Sequence, residues 1–219
     1  MKRLLLTIML LISITTLSTA QSKFGAGINA GIALPNSDFG DVYNTGFGGT
    51  ASLTYDLTQE WQLLASAGYY RFSFNDDLFN DFLKSIGVNE TADVEAPLSL
   101  IPLMVGGRYF FTQGEFKPYA TAVVGIHIMS VSAEDVNISG QTYKASATET
   151  QTKGAWGVGL GFLYKVAPKI HLNLDAKFNG NSSEVSQTTS SQEGDTTVEE
   201  SSSSTTTFIT ILAGVQIEL

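Results

Sequence analysis

The stretch from Thr207 to Leu219 constrains this chain more than any other. Ile209, Ile211, Ala213, Val215, Ile217 and Leu219 fall on one parity, and Phe208, Thr210, Leu212, Gly214, Gln216 and Glu218 on the other. Side chains alternate across a strand with a period of two, so this is one long strand running to the last residue of the sequence. Its edge needs a partner, because a row of unpaired N–H and C=O groups invites aggregation. Pairing with the first strand, which closes the sheet into a barrel, is the expected arrangement.

Seven earlier segments share the period. They are Lys23 to Leu34, Gly46 to Leu57, a third starting at Trp61, Pro97 to Phe111, Phe116 to Val131, Gly154 to Val166 and Ile170 to Asn179. Ile170, Leu172, Leu174, Ala176 and Phe178 alternate with His171, Asn173, Asp175, Lys177 and Asn179 in the clearest of them. Pro102 cannot donate to a ladder, so a bulge or weak pairing is expected there. In Phe116 to Val131 the outward set is read as Ala120, Ala122, Val124, Ile126 and Ile128, since the other phase would turn His127 outward.

The connections alternate between long and short. Pro35 to Thr45 and the stretches 75–96, 132–153 and 180–206 are read as long loops. Thr58-Gln59-Glu60, Thr112 to Glu115 and Ala167-Pro168-Lys169 are short turns. In 75–96 the helical spacing of Leu78, Phe79, Phe82, Leu83 and Ile86 suggests a short amphipathic helix. The Ser/Thr-rich, acidic 180–206 reads as a loop of low complexity.

Residues 1–20 read as a secretory signal peptide, with Lys2 and Arg3 ahead of the apolar Leu4 to Leu17 and small residues through Ala20. Residues 21–219 are then one domain. The chain has no cysteine, so neither disulfides nor a lipidated cysteine are available. The formal charge is −9, or −11 once Lys2 and Arg3 are removed, and the basic footprint that nucleic-acid binding needs is missing.

The fold expected is therefore all-β: an eight-stranded antiparallel up-and-down barrel. Soluble lipocalin-like barrels and transmembrane barrels both fit that count, and two features favour the membrane. Aromatic residues cluster near the ends of the apolar face, with Tyr55, Trp61, Tyr109, Phe111 and Tyr164 by the short turns and Phe47, Tyr69, Trp156 and Phe178 by the long loops. Trp156 and Tyr164 stand roughly 20 Å apart in height at about 3.3 Å per residue and about 40° tilt, close to the ~25 Å apolar band of such barrels. The opposite face carries glycine, serine, asparagine and mixed charge, which suits a narrow interior. Arg71 has outward parity but lies beyond Tyr69, at headgroup height, where an arginine escapes the mid-bilayer cost of about 2–4 kcal/mol.

The run Ile101-Pro102-Leu103-Met104-Val105-Gly106-Gly107-Arg108-Tyr109-Phe110-Phe111, a short turn, and then Lys117-Pro118-Tyr119-Ala120 with Gly125 resembles the OmpA-like and PorT-like outer-membrane barrel domains of Bacteroidota. Gly214, Ile217 and Leu219 resemble the C-terminal insertion signal read by the barrel-assembly machinery, although that signal usually ends on an aromatic residue. The resemblance implies the fold and the bacterial outer membrane, with lipid, lipopolysaccharide and the assembly machinery as partners. It implies no single activity.

Candidate chemistry lies on the inward parity. Asp56, Arg108, Lys165, His171, Asp175, Lys177 and Glu218 read as an interior charge network, with Lys165, Asp175, Lys177 and Glu218 able to pair across the lumen. Buried charges without partners are costly, which favours a salt-bridged plug; a gated proton or ion path is the functional alternative. A hydrolytic set of His127, Ser130 and Glu134 is disfavoured because His127 and Ser130 have opposite parity. The acidic long loops lack calcium-loop spacing, so no metal or cofactor is expected. These readings make a non-enzymatic structural or surface-interaction barrel the leading expectation. A narrow channel or transporter for a small or hydrophobic solute is a second expectation, for which an open lumen along Gly157, Gly159 and Gly161 would argue. A secretion-machinery component is a third.

Overall fold

The computed structural model describes residues 23–75, 84, 92–94, 96–133, 136–138, 141–143, 147–182, 184–186, 201–203 and 206–219. Among these, eight long strands form a closed antiparallel barrel: β1 (Phe24–Asn36), β2 (Gly46–Asp56), β3 (Trp61–Phe72), β4 (Leu98–Phe110), β5 (Phe116–Ala133), β6 (Ala147–Ala167), β7 (Ile170–Ser182) and β8 (Thr206–Glu218). Each strand pairs with its neighbours in sequence, and β8 pairs with β1 from Gly25↔Glu218 to Asn36↔Thr207. Closure leaves no edge. The last strand of the sequence therefore takes the role its pattern required.

Every strand keeps one parity outward. Ile28, Phe47 and Leu160 are 69%, 68% and 64% exposed, and the outward face is apolar all the way round. An apolar belt of that extent would be an aggregation surface in water and matches a lipid environment. Rings pair at both ends of this face. At the short-turn end, Phe24 lies 4.8 Å from Tyr55 and Trp61 5.0 Å from Tyr109 (ring centroids). At the other end, Trp156 lies 5.7 Å from Phe178, and the Tyr69 hydroxyl is 3.0 Å from Ser99 Oγ. Tyr164 is exposed on the same face. Arg71 is exposed and sits opposite Phe47 and Ser99, at the height of the long-loop ring cluster.

Two expectations about the connections change. The reading of 132–153 as loop gives too short a hairpin. The β5–β6 ladder continues from Ser132↔Thr148 to Ala133↔Ala147, because the alternation of Thr148, Thr150 and Thr152 with Glu149, Gln151 and Lys153 is itself strand-compatible. The stretch read as loop after β1 contains a short helix, α1 (Asp38–Val42). Ser37 before it has φ 53° and ψ −146°, a conformation that belongs essentially to glycine, and Gly40 N–H donates to Ser37 O at 2.7 Å. Of the bulge or weak pairing expected at Pro102, the structure shows weak pairing on one side and no bulge. Pro102 pairs with His127 on β5, but the β3–β4 ladder passes from Ala67↔Leu103 to Tyr70↔Leu100 with the Gly68–Pro102 and Tyr69–Ile101 positions unpaired. The missing N–H thus falls where β3 would have received it. Leu78, Phe79, Phe82, Leu83 and Ile86, on which the helix is expected, and the segment read as a signal peptide lie outside the described residues.

Candidate functional site

Buried inward side chains lie in layers along the lumen, and the glycines decide where the large ones go. A Cβ on Gly161 would stand 2.5 Å from Tyr119 Cζ and Oη, and one on Gly157 would stand 3.2 Å from Lys177 Cδ and 2.9 Å from Asn179 Oδ1. The glycine row of β6 is therefore the space that Tyr119, Lys177 and Asn179 occupy.

At the long-loop end the layer is hydrophobic. Ala33, Phe39, Tyr70, Phe72, Leu98, Leu100, Phe208 and Leu212 form one buried cluster, with Tyr43, Met129 and Val131 against it. Phe39 reaches it from α1, with its ring 5.1 Å from Phe72 and 6.3 Å from Phe208. Burial pushes the Tyr43 phenol above its ordinary value near 10. His127 is buried below, its ring 5.7 Å from that of Phe208.

The middle layer is polar. Lys177 Nζ lies 3.2 Å from Asp175 Oδ1. The Tyr119 hydroxyl is 2.7 Å from Asn173 Oδ1 and 3.0 Å from Asp175 Oδ2, and its one proton can serve one acceptor at a time. Asn173 Nδ2 donates to Asn29 Oδ1 at 2.8 Å. The Arg108 guanidinium lies over the Tyr119 ring, 4.7 Å from its centroid, and Nη1 donates to Gln216 Oε1 at 2.8 Å and Gln62 Oε1 at 3.3 Å. A void of about 10 Å³ remains among Asn29, Ser52, Arg108, Asp175 and Lys177, room for roughly one water.

The short-turn end is open. A cavity of about 430 Å³ is lined there by residues from all eight strands, among them Gly25, Thr54, Gln62, Phe110, Lys117, Leu163, His171 and Gln216. Gln62 Nε2 donates to Asp56 Oδ1 at 2.7 Å, and His171 Nε2 lies 3.6 Å from Glu218 Oε1.

This geometry rearranges the expected charge network. Lys177 pairs along its own strand with Asp175 rather than across the lumen, because residues two apart share a face. Glu218 meets His171 on the adjacent strand, Lys165 stays exposed at the rim, and Arg108 reaches Asp56 only through the Gln62 amide. The amides Gln62, Gln216, Asn29 and Asn173, together with Tyr119, join the charges. Reading charged residues alone missed them, although all have inward parity. His127 and Ser130 face opposite sides: His127 is buried, while Ser130 Oγ lies 2.9 Å from Thr150 Oγ1 on the outward face. Glu134 lies outside the described residues. Among the described residues, no group of three or more His, Cys, Asp or Glu is placed to hold a metal ion.

Comparison with known proteins agrees with the architecture. An uncharacterised protein of Haemophilus influenzae is 29% identical over 119 residues, which is 53% of this chain and 64% of the length of that relative. Neisserial surface protein A has 18% identity and a TM-score of 0.55, covering 90% of this chain and 98% of its own. A major outer membrane protein from Thermus thermophilus has 13% identity and a TM-score of 0.55, covering 90% and 99%. At those identities the likeness is one of fold. The model of the outer membrane protein beta-barrel domain family matches residues 4–192, most of the sequence. With the closed eight-stranded barrel and its apolar outer belt, that match makes the chain a member of the outer membrane protein beta-barrel domain family, a protein of the bacterial outer membrane.

Proposed function

We propose that this barrel is a non-enzymatic outer-membrane element that conducts no solute, and that the segments it presents outside serve surface interaction or envelope support. The observation that carries this reading is the set of large buried side chains above the short-turn chamber. The glycine row at Gly157, Gly159 and Gly161, which would have argued for a pore if open, is covered by Tyr119, Lys177 and Asn179. The long-loop end is crossed by the cluster of Phe39, Tyr70, Phe72 and Phe208. An eight-stranded barrel has an interior just wide enough for its own side chains. On this reading the rings of Phe47, Tyr55, Trp61, Tyr69, Tyr109, Trp156, Tyr164 and Phe178 seat the barrel at the two membrane interfaces. Lipid and lipopolysaccharide surround it, and the barrel-assembly machinery receives the strand bearing Gly214, Ile217 and Leu219.

The test is conductance of the refolded chain in a planar bilayer, beside Arg108→Ala and Lys177→Ala. Silence in the wild type, with leak appearing in the variants, is the expected result. Stable ion-selective openings in the wild type would overturn the reading and make the narrow transporter the better one.

A further inference from the structure

We propose that the short-turn end of the lumen is a binding chamber for a small zwitterion of peptide size, entered from the periplasm. Short turns face the periplasm in barrels of this family. The cavity of about 430 Å³ falls within the range of small-molecule sites, roughly 300–1,000 Å³. Its walls carry opposite charge. Asp56 on β2 and Glu218 on β8 flank β1 on one side, and Lys117 on β5 lies on the opposite arc of the eight-stranded ring.

A lumen built only for packing would let such charges meet, as Asp175 and Lys177 do at 3.2 Å. Here the acids and Lys117 line the same open space from different walls. Lys23, although it borders the chamber, directs its ammonium over the Tyr55 ring, 5.9 Å from the centroid.

His171 is the second observation. It is 2% exposed, it lines the chamber, and its Nδ1 has no hydrogen-bond partner although a buried ring nitrogen ordinarily has one. Around it stand Glu218, Lys117, Lys165 and Asp56, all within electrostatic reach. A ligand with an ammonium at one end and a carboxylate at the other would engage both walls, with Phe110 and Leu163 beside its apolar middle. Charge-assisted hydrogen bonds of this kind are the strong ones.

The inference does not depend on the lumen being closed higher up, so the conductance experiment and this one fail separately. The probe is trialanine, whose ends lie up to about 10 Å apart when extended. It is titrated calorimetrically into the full mature chain in uncharged maltoside detergent, with imidazole NMR of His171 as the site-specific readout. Controls are N-acetyl-trialanine, which lacks the ammonium, and trialanine amide, which lacks the carboxylate. Saturable binding of trialanine that shifts the His171 signals, weakened about tenfold or more by either block, is expected. In Lys117→Gln the amide and the free peptide should bind alike, and in the double variant Asp56→Asn with Glu218→Gln the acetylated and free peptides should. No saturable binding of trialanine, or binding indifferent to both blocks in the wild type, overturns the proposal even if a variant fails to fold.

Discussion

Asn173 on β7 donates through Nδ2 to Oδ1 of Asn29 on β1 at 2.8 Å, spanning β8, the strand that lies between them. Both residues stand opposite Gly214 in register. A Cβ at position 214 would collide with Ile28 O and Asn29 Oδ1. The bridge thus clamps the closing strand from both sides, and it exists because residue 214 has no side chain.

Replacing Gly214 by valine should therefore break the clamp and strain the β1–β8 ladder, while Ala213→Val, on the outward face, should be tolerated. Overpacking typically costs about 1–3 kcal/mol, and a clash with backbone rather than a flexible side chain favours the upper end. Urea unfolding, followed by the mobility shift of the unheated barrel on SDS gels, measures the difference. Equal midpoints for the two variants would show that the seam can absorb the added methyl groups.

Tyr119→Phe should be costly out of proportion to one oxygen atom. The hydroxyl serves Asn173 and Asp175 inside the lumen, and its loss leaves buried acceptors short of a donor. The expected destabilisation is about 1–3 kcal/mol. Tyr119→Leu should lose more, because the Arg108 guanidinium would lose the ring beneath it, worth roughly 0.5–2 kcal/mol. The order wild type, Phe, Leu in unfolding midpoint is the check. If Tyr119→Phe matched the wild type, water would be satisfying the acceptors.

The barrel was legible in the sequence because a strand of period two states its own faces. Which strands pair, β8 with β1 and β3 with β4, follows once the strands are in order. The interior was legible only as a set of inward residues. Parity says that Lys177 and Glu218 point inward, but not at which height, and partner choice depends on the stagger between strands. Amides posed a further difficulty: Gln62 and Gln216 carry Arg108, yet nothing in the sequence marks them apart from other glutamines. Phe39 was hidden by its surroundings, since a turn-rich stretch with Asp38 and Asp41 gives no strand or helix period from which to infer burial.

Loop packing at the long-loop end should respond to alkaline pH through Tyr43, which lies outside the barrel strands. Its ring is 5.3 Å from Phe39, and the adjacent backbone is tied down by Asn44 N–H donating to Ser73 O at 2.9 Å. Burial raises the phenol above its ordinary value near 10, so the folded loop holds the proton more tightly than the open one. Between those two values the open state has lost its proton while the packed state retains it, and stability falls as pH rises. The contribution is complete below about pH 10 and disappears as pH passes the folded value. Hydrogen exchange at the Asn44 amide, corrected for intrinsic base catalysis, should therefore accelerate above pH 10 in the wild type. In Tyr43→Phe that extra acceleration should vanish, with the phenylalanine ring still packed on Phe39. An identical pH profile in both proteins would mean that the phenol is solvated and that the Phe39 cluster alone holds the loop.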